Sequence, residues 1–340
     1  MKHFSYIVVV FCCYHRQMRE FPEKPPPGVS HVEIAESQSG QRIDNFLITR
    51  LKGVPKSHIY RVIRKGRVRV NKKRIRPEYK IKAGDCIRIP PVRQGEEPEQ
   101  AQPGADTARQ LNERILYEDD RLLILNKPSG MAVHGGSGLS FGVIEALRAL
   151  RPNAPFLELA HRLDRDTSGC LIIAKKRSVL RTLHTLLREG EVAKHYLALV
   201  KGRWQGGQQK IDVSLQKNTL KSGERMVRVN EEGKRSISIF KPVKLYADTS
   251  LLEIKLMTGR THQIRVHAQY IGHPVAGDSK YGDKVFNRTL KKLGLKRLFL
   301  HASRLDFKLP DDGSHIKITA PLDPDLDALV KQLAGQSRQD

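Results

Sequence analysis

The chain is poor in cysteine. Its 340 residues include only four, Cys12, Cys13, Cys86 and Cys170. No pair of them has the Cys-x-x-Cys spacing of a zinc knuckle or a redox site, and nothing in their placement suggests a disulfide framework. The cysteine content therefore favours a reducing compartment, and we expect a cytoplasmic protein.

Long apolar runs are also absent. The most hydrophobic stretch, Tyr6–Tyr14 (YIVVVFCCY), is about half as long as the roughly 20 residues that cross a bilayer. The polar sequence His15–Glu20 that follows it is a poor signal-peptide cleavage region. We therefore expect no membrane partner, and we interpret residues 1–30 as a weakly ordered extension in which Met18 is an alternative start.

Acidic residues are scarce relative to basic ones. The chain has 36 Asp and Glu against 61 Lys and Arg, which gives a net charge of +25 and a pI near 10. Such an excess favours a polyanionic partner, with nucleic acid ahead of an anionic membrane surface. A basic protein without such a partner remains the alternative on charge alone.

Residues 31–92 have the pattern of a compact domain. Apolar residues recur at helical spacing over 43–51, and Pro55 then ends that helix. A second helix is predicted from an N-cap at Ser57 to a stop at Gly66. Short β-type alternation follows, so the segment reads as two helices and a small sheet.

This segment also carries more than half of the net positive charge. Between Gln41 and Arg93 there are 17 Lys and Arg against three acids, a net charge of +14. In the second helix the basic residues alternate with apolar ones, so one face packs while the other is free to neutralise phosphates. A solvated charged surface is the alternative. The residues that we expect to contact RNA are Lys56, Arg61, Arg64, Lys65, Arg67, Lys72, Lys73 and Arg74.

The order of these features resembles a known module. The sequence QRIDNFL at 41–47, followed by KSHIYRVIRKGRVRVNKKRI at 56–75, is similar to the S4 RNA-binding domain. The resemblance implies that RNA is the partner of residues 31–92.

Residues 93–113 are rich in Pro, Gly, Gln and Glu and show no apolar period, so we interpret them as a linker. A larger domain is predicted over 114–340. Its many strands and few long helices favour an α+β fold over a doubly wound one. The predicted strands are 122–125, 170–174, 196–201, 236–246, 250–257 and 298–307, and the predicted helices are 178–189 and 262–271.

The densest polar cluster of the chain is His161–Gly169 (HRLDRDTSG), directly before an apolar strand. Loops held by a rigid strand often carry catalytic groups. The alternative is a structural turn in which the two arginines and two aspartates of this stretch pair with one another, and composition alone does not decide. There is no Walker motif and no set of residues with metal-ligand spacing, so no nucleotide or metal cofactor is expected.

Five segments in order resemble the motifs of the RluA-type family of pseudouridine synthases. They are Asn126–Gly130 (NKPSG), His161–Gly169, Lys194–Val200 (KHYLALV), Thr258–His267 (TGRTHQIRVH) and Arg297–Ala302 (RLFLHA). The resemblance implies a catalytic domain over 114–340 with a mixed, mainly antiparallel sheet flanked by helices. It also implies conversion of uridine to pseudouridine, with large-subunit ribosomal RNA as the substrate.

The resemblance implies a catalytic role for Asp164. The reaction breaks the bond between uracil N1 and the ribose, turns the base and rejoins it through C5. Nothing is oxidised, so the reaction needs no cofactor. Whether Asp164 attacks C1′, attacks C6 or removes the C2′ proton stays open. Arg265 is the expected cation that keeps the carboxylate ionised, with an RNA-phosphate contact as its alternative.

Tyr196 matches the family's tyrosine and is expected to stack on a flipped base and to assist removal of the C5 proton; a core tyrosine is the alternative. Other residues are implied to contact or enclose the substrate. Arg162 and Arg165 are expected to contact phosphate or shape the loop, Arg260 to bind the substrate, and Ile264 and Leu300 to form apolar walls. His161 and His262 are expected to be structural or to face RNA.

Two other classes of protein account for part of the pattern. A non-catalytic RNA-binding protein explains the charge but not the HRLDRD cluster. A glycoside hydrolase also cleaves at C1′, but its two carboxylates flank the bond, whereas Asp164 and Asp166 share one short loop. We expect a monomer without an obligate protein partner.

Overall fold

The computed structural model describes residues 28–51, 53–92, 105–135, 141–219 and 225–336. The chain divides into an N-terminal unit, residues 1–99, and a C-terminal unit, residues 100–340. Nearly all of the predicted extension lies outside the described residues, but Ser30, its last member, already belongs to the first strand. Within the described ranges, no helix has the length and apolar character that a bilayer crossing demands.

The N-terminal unit consists of two helices and a three-stranded antiparallel sheet. Its elements are β1 (Ser30–Glu33), α1 (Ile43–Arg50), α2 (Lys56–Arg64), β2 (Arg69–Val70) and β3 (Cys86–Ile89), and the strand order is β1-β3-β2. The apolar residues of the predicted helical pattern form its core, with Ile43, Leu47, Ile59 and Ile63 fully buried.

One predicted helix boundary in this unit is wrong. Ser57 does not cap α2, because the helix begins at Lys56 with Pro55 in the N-cap position and no capping side chain. The proline fixes φ at −55°, which is compatible with helix entry and leaves Ser57 inside the first turn. The other end is as predicted, since Gly66 adopts φ +67° just past the helix.

The C-terminal unit is built on one large sheet. Its elements are α3 (Ala105–Glu113), β4 (Ile115–Glu118), β5 (Leu122–Lys127), α4 (Val143–Leu150), β6 (Glu158–Leu159), β7 (Ser168–Ala174), α5 (Arg177–Glu189), β8 (Ala193–Lys201), β9 (Gln209–Thr219), β10 (Arg225–Val229), β11 (Lys234–Leu245), β12 (Thr249–Leu256), α6 (Gln263–Tyr270), α7 (Lys284–Lys292), β13 (Leu300–Lys308), β14 (His315–Thr319) and α8 (Pro324–Gln336).

The sheet has 11 strands in the described part of the chain. The main path runs β10-β9-β11-β12-β8-β13-β7-β5-β4, with β14 on β13 and β6 on β7. Its pairings are antiparallel except for the short parallel contact between β7 and β13, where His301 faces Ser168. The predicted α+β class with a mixed, mainly antiparallel sheet is confirmed.

The central strand β7 is buried on both faces. Leu171 and Ile173 pack into one apolar cluster, and Cys170 and Ile172 pack into another on the opposite face. Because each buried aliphatic side chain contributes about 1.5–3 kcal/mol, this strand is a rigid support. The loop that precedes it, which carries Asp164, is therefore attached to a strand whose residues are all buried.

Gly169 sets the spacing between β7 and β13. Its φ is +108°, and a Cβ at this position would lie 2.3 Å from the Ala302 carbonyl oxygen. A side chain here would force the two strands apart, so the position requires glycine.

The linker prediction is wrong for its second half. Residues 105–113 form α3, and Leu111, only 1% exposed, packs in the same apolar cluster as Val143 and Leu147 of α4. A single buried leucine packs this polar helix against the core. The average composition of the segment is polar, so it does not reveal this contact. Residues 93–104 lie outside the described residues.

Several elements have no counterpart among the predictions. The hairpin of β9 and β10 and the helices α4, α7 and α8 were not expected. In β9 the alternation of Ile211, Val213 and Leu215 is visible in the sequence and is a usable signal for a strand.

Candidate active site

A cavity of about 700 Å³ lies in the C-terminal unit. Its walls come from the loop before β7, the end of α5, the start of β8, the end of β12 and the start of α6. Asp164, Tyr196 and Arg265, the three predicted catalytic residues, all line it. The fold thus brings together side chains that are up to 101 positions apart in the sequence.

A buried ammonium holds the loop that carries Asp164. Lys127, at the end of β5, is fully buried, and its Nζ donates to the carbonyl oxygens of Pro128 (2.7 Å), Met131 (2.8 Å) and Arg165 (2.9 Å). Burial lowers the pKa of Lys127 to about 7, while the three acceptors match the three protons of the charged form. Lys127 thus ties the 128–131 segment to the loop.

Two further hydrogen bonds join the same segments. The Gly130 N–H donates to the Arg165 carbonyl (2.9 Å), and the Ser129 hydroxyl donates to the Asp166 carbonyl (2.7 Å). The NKPSG segment at 126–130 is therefore the physical support of the Asp164 loop.

The Asp164 carboxylate faces two nitrogen groups. Its Oδ2 lies 3.5 Å from Nη1 of Arg265 and 3.8 Å from Nε2 of His262, and the side chain is 30% exposed. These are loose contacts compared with a bidentate ion pair. The carboxylate is held near positive charge but remains accessible from the cavity.

Arg265 is held from behind by a second carboxylate. Its Nε donates to Oδ2 of Asp278 (2.6 Å) and its Nη2 donates to Oδ1 (2.8 Å), and the Asp278 side chain is fully buried. Burial opposes charge on both partners, yet their bidentate hydrogen bonds raise the pKa of Arg265 and lower that of Asp278. The remaining nitrogen, Nη1, is directed at Asp164.

Tyr281 completes this support. The Arg265 guanidinium lies 5.0 Å from the centre of the Tyr281 ring, within cation–π range. The Tyr281 hydroxyl accepts from the Val227 N–H (2.9 Å) and lies 2.8 Å from Nδ1 of His262. When the hydroxyl donates to Nδ1, the neutral imidazole carries its proton on Nε2, the nitrogen nearer Asp164.

Part of the cavity lining is apolar or aromatic. Tyr196, Ile264 and Leu300 are all buried and line the cavity. Burial, and secondarily the charge of Asp164, raises the pKa of Tyr196 above its usual value, so its phenol is protonated at neutral pH.

The structure divides the remaining predicted residues. Arg162 and Arg260 line the cavity, as do His161 and His262. Arg165 does not, because its Nε donates to the Gly130 carbonyl (2.9 Å) outside the cavity, so its substrate-contacting role has no support in the geometry. Within the described loop, neither Arg162 nor Arg165 forms an ion pair with Asp164 or Asp166. The alternative of a salt-bridged turn therefore does not hold.

The N-terminal unit has a basic concavity of about 860 Å³. Four of the eight predicted RNA-contacting residues line it, namely Lys65, Arg67, Lys72 and Arg74, together with Arg69 and Arg88. The other four, Lys56, Arg61, Arg64 and Lys73, are exposed but lie outside it.

A strained turn presents the lysines of this concavity. Asn71 and Lys72 adopt φ of 48° and 65°. The Asn71 side chain donates to Asp85 (2.8 Å) and accepts from the Cys86 N–H (2.9 Å). These hydrogen bonds hold a conformation that non-glycine residues rarely adopt.

Sequence reasoning missed three residues of the site: Asp278, Tyr281 and Lys194, the last a buried lysine on β8 that lines the cavity. Asp278 and Tyr281 lie in the short segment GDSKYG at 277–282, where an acid and a tyrosine between two glycines are a weak signal. Within the described residues, no three His, Cys, Asp or Glu side chains are grouped as metal ligands would be.

Comparison with known proteins gives the family. Residues 121–270 match the RNA pseudouridylate synthase family and residues 41–87 match the S4 domain. The ribosomal large subunit pseudouridine synthase C of Salmonella typhi is 58% identical over 314 residues, which cover 92% of this chain and 98% of that protein. The protein of the same name from Escherichia coli (strain K12) is 59% identical over 310 residues, covering 90% and 97%.

Solved structures agree. Human RNA pseudouridylate synthase domain containing 4 has a TM-score of 0.57 at 25% identity, covering 67% of this chain and 96% of that one. Human RNA pseudouridylate synthase domain containing 1 has a TM-score of 0.54 at 27% identity, covering 70% and 98%. The chain belongs to the RNA pseudouridylate synthase family. The predicted family, S4 domain and enzyme class, an isomerase of uridine in RNA, are confirmed, and the glycoside hydrolase and the non-catalytic binding protein are set aside.

Proposed function

We propose that this enzyme isomerises uridine to pseudouridine in large-subunit ribosomal RNA in the cytoplasm. The relatives that carry this activity in their names match nearly the whole chain at 57–60% identity, and the basic N-terminal unit suits a large structured RNA. The observation that carries the chemistry is the Asp164 carboxylate, 3.5 Å from a buried guanidinium in a cavity whose other charged lining side chains are cationic.

Asp164 acts on the nucleoside in the ionised form. Attack at C1′, attack at C6 and removal of the C2′ proton all need an unprotonated carboxylate. Arg265 places its positive charge 3.5 Å from the Asp164 carboxylate, and Asp278 prevents that guanidinium from turning away. Asp164 is 30% exposed, so a nucleoside entering the cavity can reach it without movement of the loop.

The reaction balances without an external reagent. The N1–C1′ bond breaks, the C5–C1′ bond forms, C5 loses its proton to solvent and N1 gains one. No electron pair leaves the nucleoside, so the isomerisation calls for no redox or group-transfer cofactor. The buried Ile264 and Leu300 exclude water that would otherwise hydrolyse the opened glycosidic bond.

The target base has to leave its stack to reach Asp164. Flipping a nucleotide costs a few kcal/mol, and stacking on an aromatic ring returns about 1–3 kcal/mol. Tyr196 lines the cavity and is the aromatic side chain suited to this contact. Because its pKa is raised, the phenol stays protonated at neutral pH and is not available as a base, so we assign it a platform role ahead of removal of the C5 proton.

Loss of specific pseudouridines tests the proposal. Carbodiimide-based primer extension on large-subunit ribosomal RNA from cells lacking this protein should reveal one or more missing stops. Expression of the wild-type chain should restore them, and Asp164→Asn should not. An unchanged pseudouridine map of this RNA would contradict the proposed substrate.

A further inference from the structure

Lys194 is a buried cation without a counter-ion. It is 8% exposed and lines the active-site cavity. Within the described residues its ammonium has no hydrogen-bond or ion-pair partner, and burial is what lowers its pKa. An unpaired buried charge is unfavourable, so the fold carries this lysine at a cost that packing alone does not explain.

Lys194 lies on the same face as Tyr196. Both belong to β8, whose side chains alternate between the two faces, and the alternate residues Lys194, Tyr196, Ala198 and Val200 are all buried. Two residues along a strand correspond to roughly 7 Å. The backbone positions of Lys194 and of Tyr196, on whose ring the base is proposed to stack, are therefore about one nucleotide unit apart.

Three more basic side chains line the same cavity. His184 and Arg188 are exposed on the last turns of α5, four positions apart and so on one helix face, and Arg162 lies in the loop before Asp164. Within the described residues none of the three pairs with a carboxylate, and the Arg188 side chain donates to Thr185 Oγ1 (3.0 Å).

The charge balance of the cavity points to an anionic ligand. Six lysine or arginine side chains line it, whereas Asp164 is the one carboxylate among its lining residues, and Asp164 already faces Arg265. The nearby end of α5 is its carbonyl end, which offers no N–H groups. An anion on this side is thus held by side chains.

We propose that Lys194, with Arg162, His184 and Arg188, forms a phosphate-binding subsite that receives the backbone phosphate next to the flipped uridine. The phosphate supplies the counter-ion that Lys194 lacks in the free protein. Binding of the phosphate there draws the nucleotide toward Tyr196 and Asp164, so the positive charge of Lys194 positions the substrate. The inference rests on the family's reaction and not on the choice of ribosomal RNA.

The experiment compares Lys194→Met with Lys255→Met. Lys255 lies on β12 beside β8, next to the residue that pairs with Lys194, but its side chain is exposed on the other face. The probe is an RNA stem-loop that the wild-type enzyme modifies, prepared with a single methylphosphonate at each phosphate flanking the target uridine. Kd is measured over a range of salt concentrations, together with single-turnover rates and the thermal midpoint of the free protein.

Lys194→Met should weaken binding at low salt about tenfold and reduce the slope of log K against log salt by about 0.7, the value for one phosphate contact on single-stranded RNA. One methylphosphonate should weaken binding to the wild type and to Lys255→Met but not to Lys194→Met. The thermal midpoint should not fall, because the variant removes an unpaired buried charge. Lys194→Arg should recover part of the affinity.

Equal salt slopes and equal methylphosphonate sensitivity in the wild type and Lys194→Met would overturn the subsite. If Lys194→Met does not fold, Arg188→Gln, at an exposed position, tests the same point. RNA binding by Arg188→Gln should also lose its sensitivity to that one methylphosphonate. Unchanged sensitivity in this variant would equally overturn the proposal. If the stem-loop that the enzyme modifies comes from another class of RNA, the proposed ribosomal substrate is contradicted. The test of the phosphate subsite can still be carried out on that stem-loop.

Discussion

The two units of this enzyme use positive charge in opposite ways. In the N-terminal unit, the eight basic residues predicted to contact RNA are exposed, and none of them forms an ion pair in the described structure. In the C-terminal unit, Arg265 is buried and fixed by a bidentate bond to Asp278, so that one nitrogen faces Asp164. Exposed charges give affinity that salt screens, whereas a buried, oriented charge places a fixed positive group beside one carboxylate.

The largest expected effect separates catalysis from binding. Asp164→Asn keeps the size of the side chain but removes its negative charge, so the pseudouridine rate should fall roughly a thousandfold or more. The RNA Kd should change less than about threefold, since most phosphate contacts remain. Single-turnover formation of pseudouridine and filter binding measure the two quantities. Residual activity near the wild-type level would remove Asp164 from the mechanism.

The next effect tests the support behind Arg265. Asp278→Asn leaves a buried guanidinium without its counter-charge, which should destabilise the fold by about 3–5 kcal/mol. The single-turnover rate should fall about a hundredfold while RNA affinity changes little. Urea unfolding and rate measurements on the folded fraction check both.

Asp283→Asn is the matched control for Asp278. Asp283 caps α7 through the Phe286 N–H and pairs with Lys201, and asparagine is an equally good N-cap. Comparable loss of rate in both variants would show that Asp278 does not act through Arg265.

A smaller effect is expected from the N-terminal concavity. Replacing Lys65, Arg67, Lys72 and Arg74 together by glutamine should lower RNA affinity about tenfold or more and flatten the salt slope by up to about 3, at roughly 0.7–0.9 for each phosphate contact. The rate at saturating RNA should remain near the wild-type value. Deleting residues 1–92 should act in the same direction. Unchanged affinity in both variants would contradict RNA binding by this unit.

The smallest effect concerns acid stability. Burial, and secondarily the charge of Lys194, lowers the pKa of His161 to about 4, against 6.5 for an ordinary histidine. Between these values the unfolded chain binds more protons, so stability falls as the pH decreases from 6.5 toward 4. At pH 5 the contribution is about 2 kcal/mol.

His161→Gln should flatten this pH dependence, because a glutamine oxygen can replace Nε2 as the acceptor for the Ile172 N–H without titrating. Thermal midpoints at pH 7 and pH 5 give the measurement, with the exposed His31→Gln as the control. Parallel pH profiles for the wild type and His161→Gln would exclude this histidine as the cause.

Much of the fold and the centre of the site follow from local pattern. The strand before Ala174, the helix that ends at Gly190 and the basic second helix are all visible as apolar periods and glycine stops. The HRLDRD loop stands out because four charges precede a fully apolar strand. Arg265 and Tyr196 were placed through the resemblance of their motifs to the family, and the fold brings both into the cavity.

The rest depends on long-range packing that local pattern does not encode. Asp278 becomes the partner of Arg265 only because the loop after α6 folds back over 13 positions. In the sequence, Lys194 is indistinguishable from an exposed lysine on a strand. It is buried only because other elements of the fold pack against β8. The polar composition of 105–113 concealed the single leucine that docks α3 on the core.

The hydrogen bonds of Lys127 have a consequence for how the active site moves. If the Asp164 loop opened locally, the buried Nζ of Lys127 would lose the Arg165 carbonyl, one of its three acceptors, so the loop should open only together with β5 and β7. The amide protons of Gly130 and Thr167, which bond to Arg165 and Asp164, should then exchange with deuterium almost as slowly as those of β7. The enzyme would meet its RNA with the reacting carboxylate already in place, and conformational adjustment would fall mainly on the RNA.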